Sequence, residues 1–137
     1  MGTVSRWLDV QGLQAVPIDL GLDGNGRAQF SLNVVITKEP SLTVDDEVET
    51  VLLGAGISAS VIFVGSKAVV PGGTADALTV TLTGGGGIRT HNFPTRYAYE
   101  QPTVQLLGRS VNPTTAKGLV LQARDALFAV KNTVVSP

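Results

Sequence analysis

The sequence predicts an α+β fold, and three observations lead there. A tight-turn signal, Asp23-Gly24-Asn25-Gly26, stands between two stretches of strand character. Residues 77–83 and 103–110 alternate apolar and polar side chains with the period of a half-buried strand. Two other stretches carry the i, i+3, i+4 spacing of helices, one beginning near Val44 and one after Asn112. With 137 residues, 43% of them hydrophobic, the chain has material for one core and one domain spanning 1–137. Residues 1–40 form its hairpin segment, and residues 41–137 run helix, strands, loop, strand, helix.

In chain order, residues 1–12 hold Val4, Trp7, Leu8 and Val10 without a clean period and predict an irregular lead-in. Residues 13–21 alternate loosely and carry Pro17, which suits an edge strand or a bulge. The hairpin turn follows. The return strand then puts Ala28, Phe30, Leu32, Val34 and Ile36 on one face, with Gln29, Ser31 and Asn33 on a wet one. Lys38-Glu39-Pro40-Ser41 breaks the pattern and predicts a linker without a packing residue.

Thr43 is a helix cap, with Asp45 and Asp46 facing the positive end of the dipole. Val44, Val48, Val51 and Leu52 make that helix's apolar face, and Gly54 ends it. Residues 60–65 are a buried-type strand, and in residues 77–83 Leu78, Val80 and Leu82 point inward. Residues 84–95 predict a long glycine-rich surface loop.

In residues 103–110, Val104 and Leu106 face one way, and Gln105, Leu107 and Arg109 the other. Asn112 caps the second helix, and Pro113 occupies its first position, where a missing N–H does no harm. Ala116, Leu119, Val120, Ala123, Ala126, Leu127 and Val130 form its core stripe. Leu121 and Phe128 form a second apolar line, available to the core or to a subunit contact.

Composition narrows the function classes. Ten basic and 11 acidic residues give a net charge of −1, which argues against dedicated nucleic-acid or acidic-membrane binding. Without cysteine there are no disulfides or thiolate metal sites, and a single His91 cannot build a multi-histidine site. No apolar run approaches the roughly 18 residues of a membrane span. No signal-peptide pattern opens the chain, so the default expectation is a soluble protein made in the cytoplasm.

Local motifs point to no enzyme, cofactor or metal. Gly54-Ala-Gly56-Ile-Ser-Ala59 matches a dinucleotide fingerprint, but that chemistry needs a strand before it and a helix after it. Here the order is reversed, so a helix stop explains the glycines. The run from Gly84 to Gly87 could nest a phosphate but lacks the Gly-Lys-Ser/Thr ending of a phosphate loop. Asp19, Asp23 and Asn25 resemble part of a calcium loop without its twelfth ligand, and a hairpin turn accounts for them. His91 stands beside no nucleophile signature. Trp7, Tyr97 and Tyr99 suit a core edge or an interface.

Two blocks of the chain resemble the tail-terminator (minor capsid, head–tail joining) proteins of tailed bacteriophages. One is the first helix, then Gly65-Ser-Lys-Ala-Val-Val-Pro71-Gly, then Pro94-Thr-Arg-Tyr97-Ala-Tyr99-Glu-Gln-Pro102-Thr-Val-Gln105-Leu-Leu-Gly-Arg109 with its helix. The other is Leu20-Gly-Leu-Asp23-Gly-Asn25-Gly26-Arg27 followed by Phe30-Ser-Leu-Asn33-Val34. The resemblance implies a single, mostly antiparallel β-sheet with two α-helices packed on it, assembled as a ring, usually of six copies. It implies a structural virion protein at the neck end of the tail, assembled in the host cytoplasm, with no enzyme activity. The ring stops growth of the tail tube and joins it to the head connector. The implied partners are therefore the chain itself, the tail-tube protein and the head-completion protein. DNA only passes through the lumen, and no membrane is involved.

The blocks stand in the opposite order to the family's. Joining the two ends of the chain restores that order, so the expectation is a circular permutant. The expected contacts are the sheet edges, Gly84, Gly85, Gly86, Gly87, Ile88, Arg89 and His91 in a loop ordered by a partner, and Leu121 and Phe128. The competing readings are a small nucleotide- or phosphate-binding enzyme and an antiparallel β adaptor that binds peptides by strand addition.

Overall fold

A computed structural model describes residues 5–41, 43–65, 73–90 and 98–136, with the backbone alone given for 85–90 and 98. The elements run β1 (Ser5–Gly12), β2 (Ile18–Leu22), β3 (Ala28–Lys38), α1 (Val44–Gly54), β4 (Ile62–Val64), β5 (Ala77–Thr90), β6 (Ala98–Ser110), α2 (Pro113–Phe128) and β7 (Thr133–Val135). The strands join in one sheet of order β4-β5-β6-β3-β1-β7, with β2 also bonded to β3. Only β4 and β5 pair parallel; the other pairs are antiparallel. The fold is therefore the expected α+β class, one mostly antiparallel sheet with two helices.

The alternation seen in the sequence sets the faces. Leu32 lies opposite Leu106, which lies opposite Val80, and Val34 lies opposite Val104. These side chains are fully or almost fully buried and share one cluster with Val48 and Leu52 of α1 and Val120, Ala123 and Leu127 of α2. Both helices thus cover the same face. The other face carries Asn33, Gln105 and Thr81 in register, and it is polar as expected. Leu82 shares the core face with Val104, yet it is 44% exposed, because the helices do not cover the sheet that far along.

Strand β1 replaces the expected irregular lead-in. Trp7 pairs with Lys38 and Val10 with Ile36, with a register shift between Trp7 and Asp9. Successive core-facing positions are therefore three residues apart, and the period-two signal is lost. The structure also corrects the glycine-rich loop. Gly84, Gly85 and Gly86 pair with Thr103, Pro102 and Gln101, and Arg89 pairs with Tyr99, so the segment through Thr90 belongs to β5. Glycine contributes nothing to strand propensity, but β6 continues to Ala98 and supplies a ladder of backbone partners. Irregularities between Leu82 and Gly84 and between Gly86 and Arg89 absorb the mismatch, and Gly84 sits at φ 114°. His91 and Tyr97 lie outside the described residues.

The helices begin where their sequences predict, but α2 ends at Phe128, short of the expected Val130, and the two caps differ. Asn112 accepts the Thr114 N–H at 3.0 Å, whereas Thr43 occupies its cap position without a side-chain cap bond and gives its hydroxyl to Glu47. Gly54 is the last residue of α1, and the Gly56 N–H closes on the Leu53 carbonyl at 3.0 Å. Helix precedes these glycines and strand β4 follows, the reverse of a dinucleotide site.

Helix α2 approaches the sheet closely at Gly108. A Cβ there would stand 2.4 Å from the Ala116 carbonyl oxygen and 2.8 Å from Val120 Cγ2. Gly108→Ala should therefore cost about 1–3 kcal/mol or more through overpacking. Thr81→Ala, on an exposed strand position, should stay within about 0.5 kcal/mol. Urea midpoints measure both, and a Gly108→Ala midpoint equal to that of the unaltered protein would refute this packing.

Candidate subunit interface

Two side chains of opposite charge are sealed inside. Lys38 and Glu47 are both fully buried. The Lys38 ammonium donates to the Glu39 carbonyl at 2.7 Å, to Ser41 Oγ at 2.9 Å and to Glu100 Oε1 at 3.0 Å, which accounts for its three protons. Glu47 Oε1 accepts from Trp7 Nε1 at 3.0 Å and from the Ser5 hydroxyl, and lies 3.6 Å from the ammonium. Its Oε2 accepts from the hydroxyls of Ser41 and Thr43. Every acceptor direction of the carboxylate is used. Among the described residues no buried polar side-chain atom lacks a partner.

This cluster was not foreseen. The segment around Ser41, expected to be a linker without packing residues, is part of it: Lys38 and Ser41 are both buried. Trp7 is a core residue whose indole N–H finds a carboxylate. Because no atom of Lys38 or Glu47 meets solvent, the pair has no face on which a substrate could sit.

An open groove of about 430 Å³ lies between the C-terminal ends of the helices and β7. Val51, Ala126, Val130 and Val134 line it, and its only polar side chains are the hydroxyls of Thr50, Thr133 and Ser136. Among the described residues no cluster of His, Asp or Glu is placed to hold a metal. No described helix is long and apolar enough to cross a membrane.

The residues expected at an interface fall in two separate places. Gly84, Gly85, Gly86, Gly87, Ile88 and Arg89 lie on β5, where their backbone forms the far arm of the β5–β6 pair. Leu121 and Phe128 lie half-buried on α2. Phe128 packs against the core, with its ring 3.1 Å from the place a Gly12 side chain would take and the Arg124 guanidinium 5.9 Å from its centre. It belongs to the core edge and is not a free anchor.

The exposed apolar surface is elsewhere. Leu13, Val16, Ile18, Leu20 and Leu22 are 51%, 62%, 45%, 48% and 70% exposed. Together they form β2 and its approach. All five residues of β2 are exposed, and among the described residues β2 pairs with β3 alone. The turn that holds β2 in place is firm. Asp23 accepts the N–H groups of Asn25 and Arg27, both at 2.9 Å, and pairs with the Arg27 guanidinium at 2.8 Å. Burial raises the Asp23 pKa, but those donors outweigh it and hold the carboxyl below its ordinary value.

The opposite end of the sheet is also unfinished. Strand β4 covers β5 only at Leu78, Thr79 and Val80, so the outer edge of residues 81–90 has no partner among the described residues. Among the described residues, the outer edges of β2 and of residues 81–90 thus have no strand partner, and β2 is the apolar one. No protein-family model, curated protein or solved structure matches the chain.

Removing the buried carboxylate tests the cluster. Glu47→Gln leaves Lys38 its Glu100 partner at 3.0 Å but replaces one fully used carboxylate oxygen by an amide NH2, which faces hydroxyl and indole donors, and should lower stability by about 1–3 kcal/mol. Equal urea midpoints for Glu47→Gln and the unaltered protein would contradict the cluster.

Proposed function

We propose that this chain is a structural ring protein of a tailed bacteriophage, a tail terminator that caps the tail tube and joins it to the head connector. The observation that carries the reading is the pairing of β1 with β7. Ser5 lies opposite Val135, Arg6 opposite Val134 and Trp7 opposite Thr133, all antiparallel. Paired Cα atoms in such a ladder lie about 4.5–5.5 Å apart. A short turn could therefore run from β7 into β1, giving the order helix, hairpin strands and return strand that the resemblance calls for. The expected circular permutation is thus geometrically open, although Ser5 and Val135 are themselves buried rather than lying free on the surface.

Further support comes from what the molecule leaves uncovered. A ring subunit needs two different complementary surfaces, and among the described residues the outer edges of β2 and of residues 81–90 lack a strand partner. The partners are other copies of the chain, the tail-tube protein and the head-completion protein. DNA passes through the lumen without being recognised, in keeping with a net charge of −1. The open apolar edge of β2 also favours a second reading, an adaptor that binds an extended peptide by strand addition.

Light scattering and negative-stain imaging of the purified chain separate these readings. A closed ring of several copies with a central hole is expected. A monomer at all concentrations that binds an extended peptide would favour the adaptor, and a monomer that tightly binds a nucleotide would reject both. Permutation has its own readout. Linking the ends through a short spacer should leave the urea midpoint unchanged or raised, because closure restricts the unfolded chain. A circular chain that fails to fold would overturn it.

A further inference from the structure

We infer that the turn between β2 and β3 is a site of spontaneous modification. Asn25 closes on the Gly26 nitrogen to a succinimide, which opens to aspartate or isoaspartate, while Asp23 in the same turn stays fixed. This goes beyond the ring reading and does not rest on it.

The chemistry needs an asparagine amide that can move and a following peptide nitrogen that can attack it. Asn25 is exposed, and among the described residues its side chain has no hydrogen-bond partner. Gly26 has no side chain to screen its nitrogen, and nothing lies within 4 Å of the place its Cβ would take. Its N–H donates to the Asp23 carbonyl at 3.1 Å, a bond at an exposed loop tip, where local opening costs least. The other described asparagines each lack a requirement. Asn112 precedes Pro113, whose nitrogen has no proton to lose, and its Oδ1 accepts the Thr114 N–H. Asn132 Oδ1 accepts from Arg6 at 3.3 Å. Asn33 lies inside β3 and precedes the branched Val34.

Asp23 also precedes a glycine, but its carboxylate is taken up. Oδ1 accepts the N–H groups of Asn25 and Arg27, and Oδ2 accepts from Arg27 Nε at 2.8 Å. These donors favour the ionised form, which a peptide nitrogen attacks poorly.

In the reaction the Gly26 nitrogen gives its proton to hydroxide and bonds to Asn25 Cγ. The Cγ–Nδ2 bond breaks, and ammonia leaves with a proton from water, which restores the hydroxide. Water then opens the ring at either carbonyl, and no electron is transferred. Opening at the main-chain carbonyl leaves isoaspartate, whose backbone runs through Cβ. The chain is then one atom longer between the two N–H groups that Asp23 Oδ1 holds together. Arg27 is buried and donates to the Ala75 carbonyl at 3.0 Å, so the lengthened turn must give at Asp23.

The stretch between Arg6 and Arg27 has no Lys or Arg, and Asn25 is its only asparagine, so trypsin releases the site in one peptide. After the folded chain stands in mildly alkaline buffer, that peptide should gain the mass difference between a hydroxyl and an amine group. Fragmentation should place the gain at residue 25, and an isoaspartyl methyltransferase should label it. Asn25→Ala should show neither change. Fresh Asn25→Asp, which adds the charge without the longer backbone, should keep the urea midpoint of the unaltered protein, and the isolated isoaspartyl form should lose part of it. A folded chain that stays unchanged at residue 25 while the urea-unfolded chain deamidates there would mean that the turn protects the site and would overturn the proposal. So would a first gain at another asparagine, or isoaspartate at Asp23 before Asn25. An isoaspartyl form with an unchanged midpoint would overturn the effect on the turn.

Discussion

The carboxylate of Glu47 is the point on which the rest of the structure depends. It projects from α1 and receives hydrogen bonds from Ser5 and Trp7 of β1 and from Ser41 and Thr43 in the segment leading to the helix. The ammonium of Lys38, at the end of β3, stands beside it and reaches Glu100 of β6. One buried anion and one buried cation therefore fix a helix against three strands. A buried pair of this kind adds little net stability over an apolar core, because desolvation offsets most of the attraction. Its effect is on specificity. A helix slipped by one turn, or a strand shifted by two residues, would strand a charge in a low-dielectric interior, and that is far costlier than a poorly packed methyl group.

Much of the fold was legible because the apolar periods are intact where the structure is regular. The hairpin around Asp23, the facing stripes of β3 and β6, and the core stripe of α2 all follow from spacing. The losses have physical causes. The bulge in β1 moves the core positions from Trp7 to Val10 and erases the alternation. The glycines of β5 carry no strand preference, and only their pairing with β6 makes them strand. Tertiary pairing overrode local composition there.

The buried charges left a signal that spacing could have found. Lys38 continues the two-residue register of Leu32, Val34 and Ile36, so its phase points into the core. Glu47 lies three residues after Val44 and one before Val48, on the apolar face of α1. Two opposite charges, each in phase with a core stripe, mark a buried pair. Reading charge as a sign of exposure hid them. The open edge of β2 was harder to see, because its apolar residues look like core until the sheet order is known.

An apolar edge strand is a hazard for a protein that remains alone, since it templates open-ended association. The danger disappears when the edge has one partner and each step turns through a fixed angle, because the assembly then closes. Here the rigidity needed for a fixed angle comes from the interior. The sealed Glu47–Lys38 cluster ties β1, β3 and β6 to α1, and the close approach of α2 at Gly108 locks the second helix to the same sheet. On the ring reading proposed above, the buried charge pair would give the subunit the stiffness that a fixed angle between neighbours requires.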